Sequence, residues 1–129
     1  MPIETRPLRI GASRPVTVID AAADLAEALR VVRITGVRHL PVVSDGQCVG
    51  LLVDRDLIAA AVDGLAQPVR HLARHPVPVI GPDDPPHVVA RAVLDGGLDA
   101  ALVVADGTLV GIVTATDALA AIARQSPET

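Results

Sequence analysis

Phenylalanine, tyrosine and tryptophan are all missing from this chain of 129 residues, although half of it is hydrophobic. The core must therefore be built from Val, Leu, Ile and Ala, and no aromatic ring is available to stack on a base. Single-strand readers of nucleic acid depend on such rings. Backbone binders are basic, whereas this chain carries a net charge of −4. No nucleic-acid partner is expected. Lysine is absent too: all eleven basic residues are arginine, which suggests a GC-rich bacterial genome rather than a mechanism. With Cys48 as the only cysteine no intrachain disulfide can form, and a reducing cytosol is the natural compartment. Met1–Ser13 lacks the apolar stretch of a signal peptide. The longest apolar runs, Leu57–Val62, Ala100–Ala105 and Ala118–Ala123, fall far short of the ~20 residues that span a bilayer. A cytoplasmic protein without a membrane partner is expected.

What the chain does have is a duplication. Residues 7–62, moved forward by 61 positions, fall on 68–123 without a gap, with 19 identities in 56 pairs. Among them are Pro15/Pro76, Val42/Val103, Asp45/Asp106, Gly46/Gly107, Gly50/Gly111 and Asp56/Asp117. One supersecondary unit used twice is implied, each copy covering the apolar face that the other cannot bury alone. Such copies usually pack about a pseudo-two-fold axis, with a ligand cleft between them. The length suits a single module, here divided into repeat one at 7–63, a linker at 64–67, repeat two at 68–123 and a tail at 124–129.

Each copy reads as strand, helix, hairpin and helix. Pro15–Ile19 is a β-branched strand. Asp20 or Asp24 can cap a helix that carries Leu25, Ala28, Leu29 and Val32 on one face and stops at Gly36. Leu40–Ser44 and Cys48–Val53 are strands joined at Asp45-Gly46, a strong hairpin signal, and a helix follows over Asp54–Asp63. In the second copy the strand is Val77–Ile80 and the helix Asp84–Leu94, with Pro85 and Pro86 tolerable only in its first turn. Ala101–Ala105 and Leu109–Val113 form the hairpin around Asp106-Gly107, and the last helix covers Ala115–Ala123. The fold class is α/β in the broad sense (α+β), a tandem βαββα.

Gly36-Val37-Arg38-His39-Leu40-Pro41-Val42-Val43, then Asp45-Gly46, then Gly50 through Asp56, resembles a cystathionine-beta-synthase (CBS) domain. So does the second copy, which ends in Gly111-Ile112-Val113-Thr114-Ala115-Thr116-Asp117. The resemblance covers almost the whole chain and implies a CBS pair, or Bateman module. Such modules are regulatory rather than catalytic, and many hold an adenosine-containing ligand such as AMP, ADP, ATP or S-adenosylmethionine. It further implies that Asp117 accepts hydrogen bonds from ribose hydroxyls while Thr114 meets phosphate or ribose. By the same resemblance Thr17, Val37, Arg38 and His39 of the other copy would complete that site, with Ile112 and the aliphatic Val16, Val18, Leu40 and Pro41 as candidate walls for the adenine. The mirror-image site would use Val53 and Asp56 with Pro78, Leu98, Asp99 and Ala100. There the hydroxyl is replaced by Val53 and the cation by Asp99, so this second site is expected to be degenerate.

Simpler readings stand beside these. Thr114-x-x-Asp117 is nearly a capping box, in which the two side chains merely start a helix. Arg38 and His39 could be a solvated pair at a strand start. His71 and His75 are four apart, but Pro76 biases His75 away from helix and no third ligand is apparent, so no metal is expected. Cys48 aligns with Leu109 and reads as a small core residue. Ser13, Ser44 and Ser126 have no His and Asp in a recognisable arrangement, so no enzyme is expected. The alternative to a nucleotide sensor is a ligand-free dimerisation module. In either case the mean hydropathy of +0.47 and the apolar helices Leu57–Val62 and Ala118–Ala123 point to a homodimer. Light scattering after gel filtration should therefore return the mass of two chains at tens of micromolar, and a monomer at that concentration would remove the expectation.

Overall fold

Period-two apolar runs broken by Asp-Gly fold here as hairpins, and the computed structural model, which describes residues 16–125, contains one in each of two compact units. Pro15, the rest of 7–15 and the tail residues 126–129 lie outside the described residues. One unit is Thr17–Pro76, and Val77–Gln125 belongs to the other.

In the first unit β1 (Ile19–Asp20) pairs in parallel with β2 (His39–Ser44), which runs antiparallel to β3 (Gln47–Val53). The Asp45-Gly46 turn has φ of 51° and 76°, the double left-handed geometry of a tight hairpin that Asp and Gly accept most easily. The crossover between β1 and β2 is α1 (Leu25–Thr35). Of the two acids considered for its cap it is Asp24 that serves, its Oδ1 accepting from the Glu27 N–H at 3.0 Å. Gly36 ends the helix at φ 78°. Leu25 and Ala28 are buried in a cluster with Leu40, Val42, Leu52, Leu57 and Val69, while Leu29 and Val32 pack at its margin. The first strand is shorter than the sequence suggests: only Ile19 and Asp20 find partners, opposite Val42 and Val43. The next helix, α2, is regular over Asp54–Ala60 and tightens into a 3-10 turn at Ala61–Asp63 before Gly64.

Residues 64–76 stay with this unit. The carbonyls of Gln67 and Leu65 accept from the Leu25 and Ala26 N–H groups at 2.8 and 3.1 Å, satisfying donors at the start of α1. The Gln67 amide donates to the carbonyls of Ala60 and Gly64. Val69, in a 3-10 turn at Val69–His71, is fully buried. Leu51 and Arg74 then exchange two backbone hydrogen bonds of 2.9 Å, which lays this segment along the edge of β3. Gly50 permits the approach, since a Cβ there would stand 2.8 Å from Ala73 Cβ and 3.2 Å from the Arg74 carbonyl oxygen. The sequence repeat and the packing unit are thus cut at different places.

The other unit repeats the plan with β4 (Val79–Ile80), α3 (Pro86–Gly96), β5 (Ala100–Ala105), β6 (Thr108–Thr114) and α4 (Ala115–Gln125). Its strand order β4-β5-β6 matches β1-β2-β3, and the ladder irregularity at Val42/Val43 recurs at the equivalent Val103/Val104. Ile80, Val89, Val93, Ala101, Val103, Val110, Val113, Ala118 and Ala121 make its core. The start of α3 is later than Asp84 because that carboxylate accepts from the Gly81 N–H at 2.8 Å and closes a turn, which leaves Pro86 to open the helix.

Several apolar side chains are left outside, among them Ile58 (69% exposed) and Val62 (85%) beyond β3, Leu94 (72%) on α3 and Leu119 (67%) on α4. No helix among the described residues is long and apolar enough to cross a membrane.

One contact distinguishes the copies within their own cores. Pro78 and Gly96 stand where the first copy has Thr17 and Thr35, and a Cβ on Gly96 would overlap the Pro78 ring. Gly96→Ala should therefore cost about 1–3 kcal/mol through overpacking, although alanine is the better helix former. Adding Pro78→Ala should return most of that loss. Urea midpoints of the two single variants and the double variant measure the coupling, and additive effects would show that the ring does not hold residue 96 to glycine.

Candidate functional site

In both units the strand that completes the hairpin runs straight into a helix. The backbone builds this junction the same way twice: the Asp54 N–H donates to the Arg38 carbonyl, and the Ala115 N–H donates to the Asp99 carbonyl, each at 2.9 Å. The side chains then take different courses.

At the second junction Thr114 and Asp117 form the reciprocal arrangement that their spacing predicts. Asp117 Oδ2 accepts from the Thr114 N–H at 3.0 Å and from Thr114 Oγ1 at 3.1 Å, and the Asp117 N–H reaches Thr114 Oγ1 at 3.4 Å. This is a capping box, with both side chains half-buried. One oxygen of Asp117 carries the whole load. Among the described residues Oδ1 has no hydrogen-bond partner, so the box orients a carboxylate and leaves an acceptor unspent. Ile112, two residues ahead of Thr114, is 6% exposed.

The first junction cannot do this. Val53 is 5% exposed and offers no cap to α2. Its aspartate turns to a partner that sequence spacing does not reveal. Arg74 Nε donates to Asp56 Oδ2 at 2.7 Å and Arg74 Nη2 to Asp56 Oδ1 at 2.9 Å, a two-pronged fork that engages both oxygens. The hydrogen bond from Arg74, with its charge, holds the Asp56 carboxyl below the usual carboxylate range, and the same pairing raises Arg74. No local pattern links positions 18 residues apart, and the duplication gives no hint, because the residue aligned with Arg74 is Ser13.

Arg38 also has a partner in its own unit. Its Nε lies 3.1 Å from Asp54 Oδ2, although the guanidinium remains 80% exposed. The second copy has no equivalent pair, since Ala115 stands where Asp54 does. His39 is half-buried and pairs with Val53 across the ladder. Val37 packs at the edge of the core and its N–H donates to Thr35 Oγ1 at 3.3 Å. Thr17, Val16 and Val18 are half-buried. Leu40 is buried in the core of the first unit, and Pro41 is fully buried as well. Of the residues assigned to the degenerate site, Leu98 and Ala100 are buried and Pro78 packs on Gly96. Asp99 is exposed and holds φ 61°, a conformation that Asp and Asn tolerate better than most residues. Thr17, Val37, Arg38, His39, Val53 and Asp56 belong to one unit, and Pro78, Leu98, Asp99, Ile112, Thr114 and Asp117 to the other.

Cys48 is half-buried, and burial pushes its thiol pKa up, away from the reactive thiolate. No group of three or more His, Cys, Asp or Glu among the described residues is arranged to hold a metal ion.

The CBS domain model matches residues 9–63 and again 69–124. The chain belongs to the CBS domain family. CBS pairs are regulatory modules, and this one resembles an uncharacterised protein of Methanocaldococcus jannaschii, at 31% identity over 114 residues. The match takes in 86% of this chain but only 41% of that protein's length. Among solved structures, the cytosolic domain of the magnesium channel MgtE in complex with ATP is 28% identical, with a TM-score of 0.73, over 84% of this chain and 46% of that one. CBSX2 in complex with AMP is 24% identical with a TM-score of 0.74, covering 93% of this chain and 99% of that one, and attests the fold.

The Asp56–Arg74 pair has a defined pH signature. A carboxyl whose folded pKa lies below its unfolded value of about 3.9 contributes stability that is present above that value and lost as pH falls through the folded one. Arg74→Gln should lower stability at pH 7, by an amount kept small because both groups are partly exposed. The gap to the parent should narrow as pH falls from 7 to below the ordinary carboxylate value of about 3.9. Denaturant midpoints at both pH values test this, and a gap that persists in acid would show that the loss came from packing.

Proposed function

We propose that this CBS pair is a regulatory, non-catalytic module that holds one adenine nucleotide per chain, gripped at the ribose by Asp117 and Thr114. The observation that carries the reading is the unequal state of the two matched aspartates. Asp117 is oriented by its capping box with Oδ1 unspent, whereas both oxygens of Asp56 are taken by Arg74. A carboxylate that accepts two hydroxyls forms charge-assisted bonds of about 1.5–3 kcal/mol each. Ile112, buried two residues ahead of Thr114, is an apolar wall on this reading. The ATP complex of a relative at 28% identity supports the ligand class. Regulation follows if the nucleotide prefers one of two states of the module, and the effect can be no larger than that preference. On the same reading the module is cytoplasmic and homodimeric, and it acts on a regulated partner.

A second reading, that the module is a ligand-free dimerisation unit, draws on the exposed Ile58, Val62 and Leu119 and on the fact that Thr114 and Asp117 already satisfy each other as a cap. One variant separates the two. Asp117→Ala should weaken nucleotide binding by about 1.5–3 kcal/mol if the carboxylate holds ribose. A residue that only caps the helix would instead lower stability by about 0.5–2 kcal/mol and leave affinity intact in the folded fraction. Calorimetric titration with ATP and AMP beside a melting curve reads both quantities. Because the chain has no Trp or Tyr, a co-purified nucleotide would also dominate its near-ultraviolet absorbance at 260 nm.

A further inference from the structure

Asp56 is the residue that the duplication marks as the counterpart of Asp117, and it is already occupied. We infer that Arg74 is a built-in occupant of the first copy's nucleotide position, and that its fork on Asp56 is what limits the chain to one nucleotide. The ligand class rests on the proposed function above, while the role of Arg74 rests on its own geometry.

A ribose diol needs an open stretch of carboxylate, which Asp117 offers at Oδ1. On Asp56 the guanidinium lies across both oxygens, with Nε on Oδ2 at 2.7 Å and Nη2 on Oδ1 at 2.9 Å. A ligand must displace this two-pronged contact before its hydroxyls can reach the carboxylate. The fork is also held in place from behind. Arg74 exchanges two backbone hydrogen bonds with Leu51 on β3, and Gly50 beside it lets the chain at Ala73 come close. The arm is therefore anchored before its side chain acts, and only its own rotamers need ordering. Asp56 is kept ionised by the same contact, so no change of pH in the neutral range releases it. Nothing of this kind sits on Asp117 among the described residues, where a neutral threonine and a backbone N–H share one oxygen. The asymmetry is written in the repeat itself, because position 74 is arginine where position 13 is serine.

Val53 and Asp99 are lesser obstacles on this view, the one lacking the hydroxyl of Thr114 and the other carrying a negative charge where the first copy has Arg38. Correcting them alone should not open the position. Asp99 is best changed to Asn, because its φ of 61° disfavours most other residues.

The experiment is calorimetric titration with ATP, and in parallel with AMP, on three proteins: the parent, Val53→Thr/Asp99→Asn, and the same double variant with Arg74→Ser. The parent and the double variant should each take one nucleotide per chain. The triple variant should take two, the second within about a hundredfold of the first, the equivalent of roughly two good hydrogen bonds. Serine retains the backbone pairing with Leu51. Should the triple variant nevertheless not melt cooperatively, Arg74→Lys in the same background keeps the charge, lacks the fork and should also admit a second, weaker nucleotide. Two nucleotides on the double variant with Arg74 in place, or one on every Arg74 variant, overturns the inference while leaving the single site standing. A parent that takes up no nucleotide ends the functional reading, and this inference with it.

Discussion

Everything at the candidate site depends on one backbone hydrogen bond made twice. It runs from the first helical N–H after each hairpin to the carbonyl just ahead of the hairpin's first strand, from Asp54 to Arg38 in one unit and from Ala115 to Asp99 in the other. The bond closes the open end of the hairpin and places the start of a helix there. Because main-chain atoms supply it, the side chains at that end are not needed to hold the junction. They are available for other work, and the two copies have used that latitude differently.

The first copy answers with charge. Arg38 pairs with Asp54 and Arg74 with Asp56, so both acids at the start of α2 are neutralised by arginines from elsewhere in the unit. The acids also suit the positive end of the helix. The second copy answers with a local cap: alanine replaces Asp54, threonine replaces Val53, and the remaining aspartate is satisfied at one oxygen by its own turn. Two aspartates at matched positions, at the start of matched helices, thus differ in whether an acceptor is left over. Chemistry on a duplicated scaffold is decided at this level, by partners rather than by the residue itself.

An aliphatic core makes such differences sharp. Without rings, the two units are filled by Val, Leu, Ile and Ala, and good packing comes from many small fits rather than a few large ones. Gly50 and Gly96 are where the fit is closest, one under the chain at Ala73 and Arg74, the other under Pro78. The first of these matters for function as well as packing. The segment that crosses Gly50 is the one that delivers Arg74 to Asp56.

The duplication, the two Asp-Gly hairpins, the Gly36 end of α1 and the Thr114–Asp117 capping box were all legible in the amino-acid sequence, because each rests on residues a few positions apart whose backbone preferences agree, whereas the choice of Asp24 over Asp20 as the cap of α1 needed the structure. The family resemblance came from the same local patterns. Tertiary structure alone decided that β1 would be two residues long, that 64–76 would lie on the first unit, that Pro78 would need a glycine at 96 and that Arg38 would find Asp54. It also decided the fate of Asp56. That aspartate and Arg74 are far apart along the chain, and they meet only because Leu51 and Arg74 pair at the edge of β3. A spacing rule reports contacts within one turn of helix or across one hairpin. A contact made by packing one segment against the edge of another depends on the whole unit having folded.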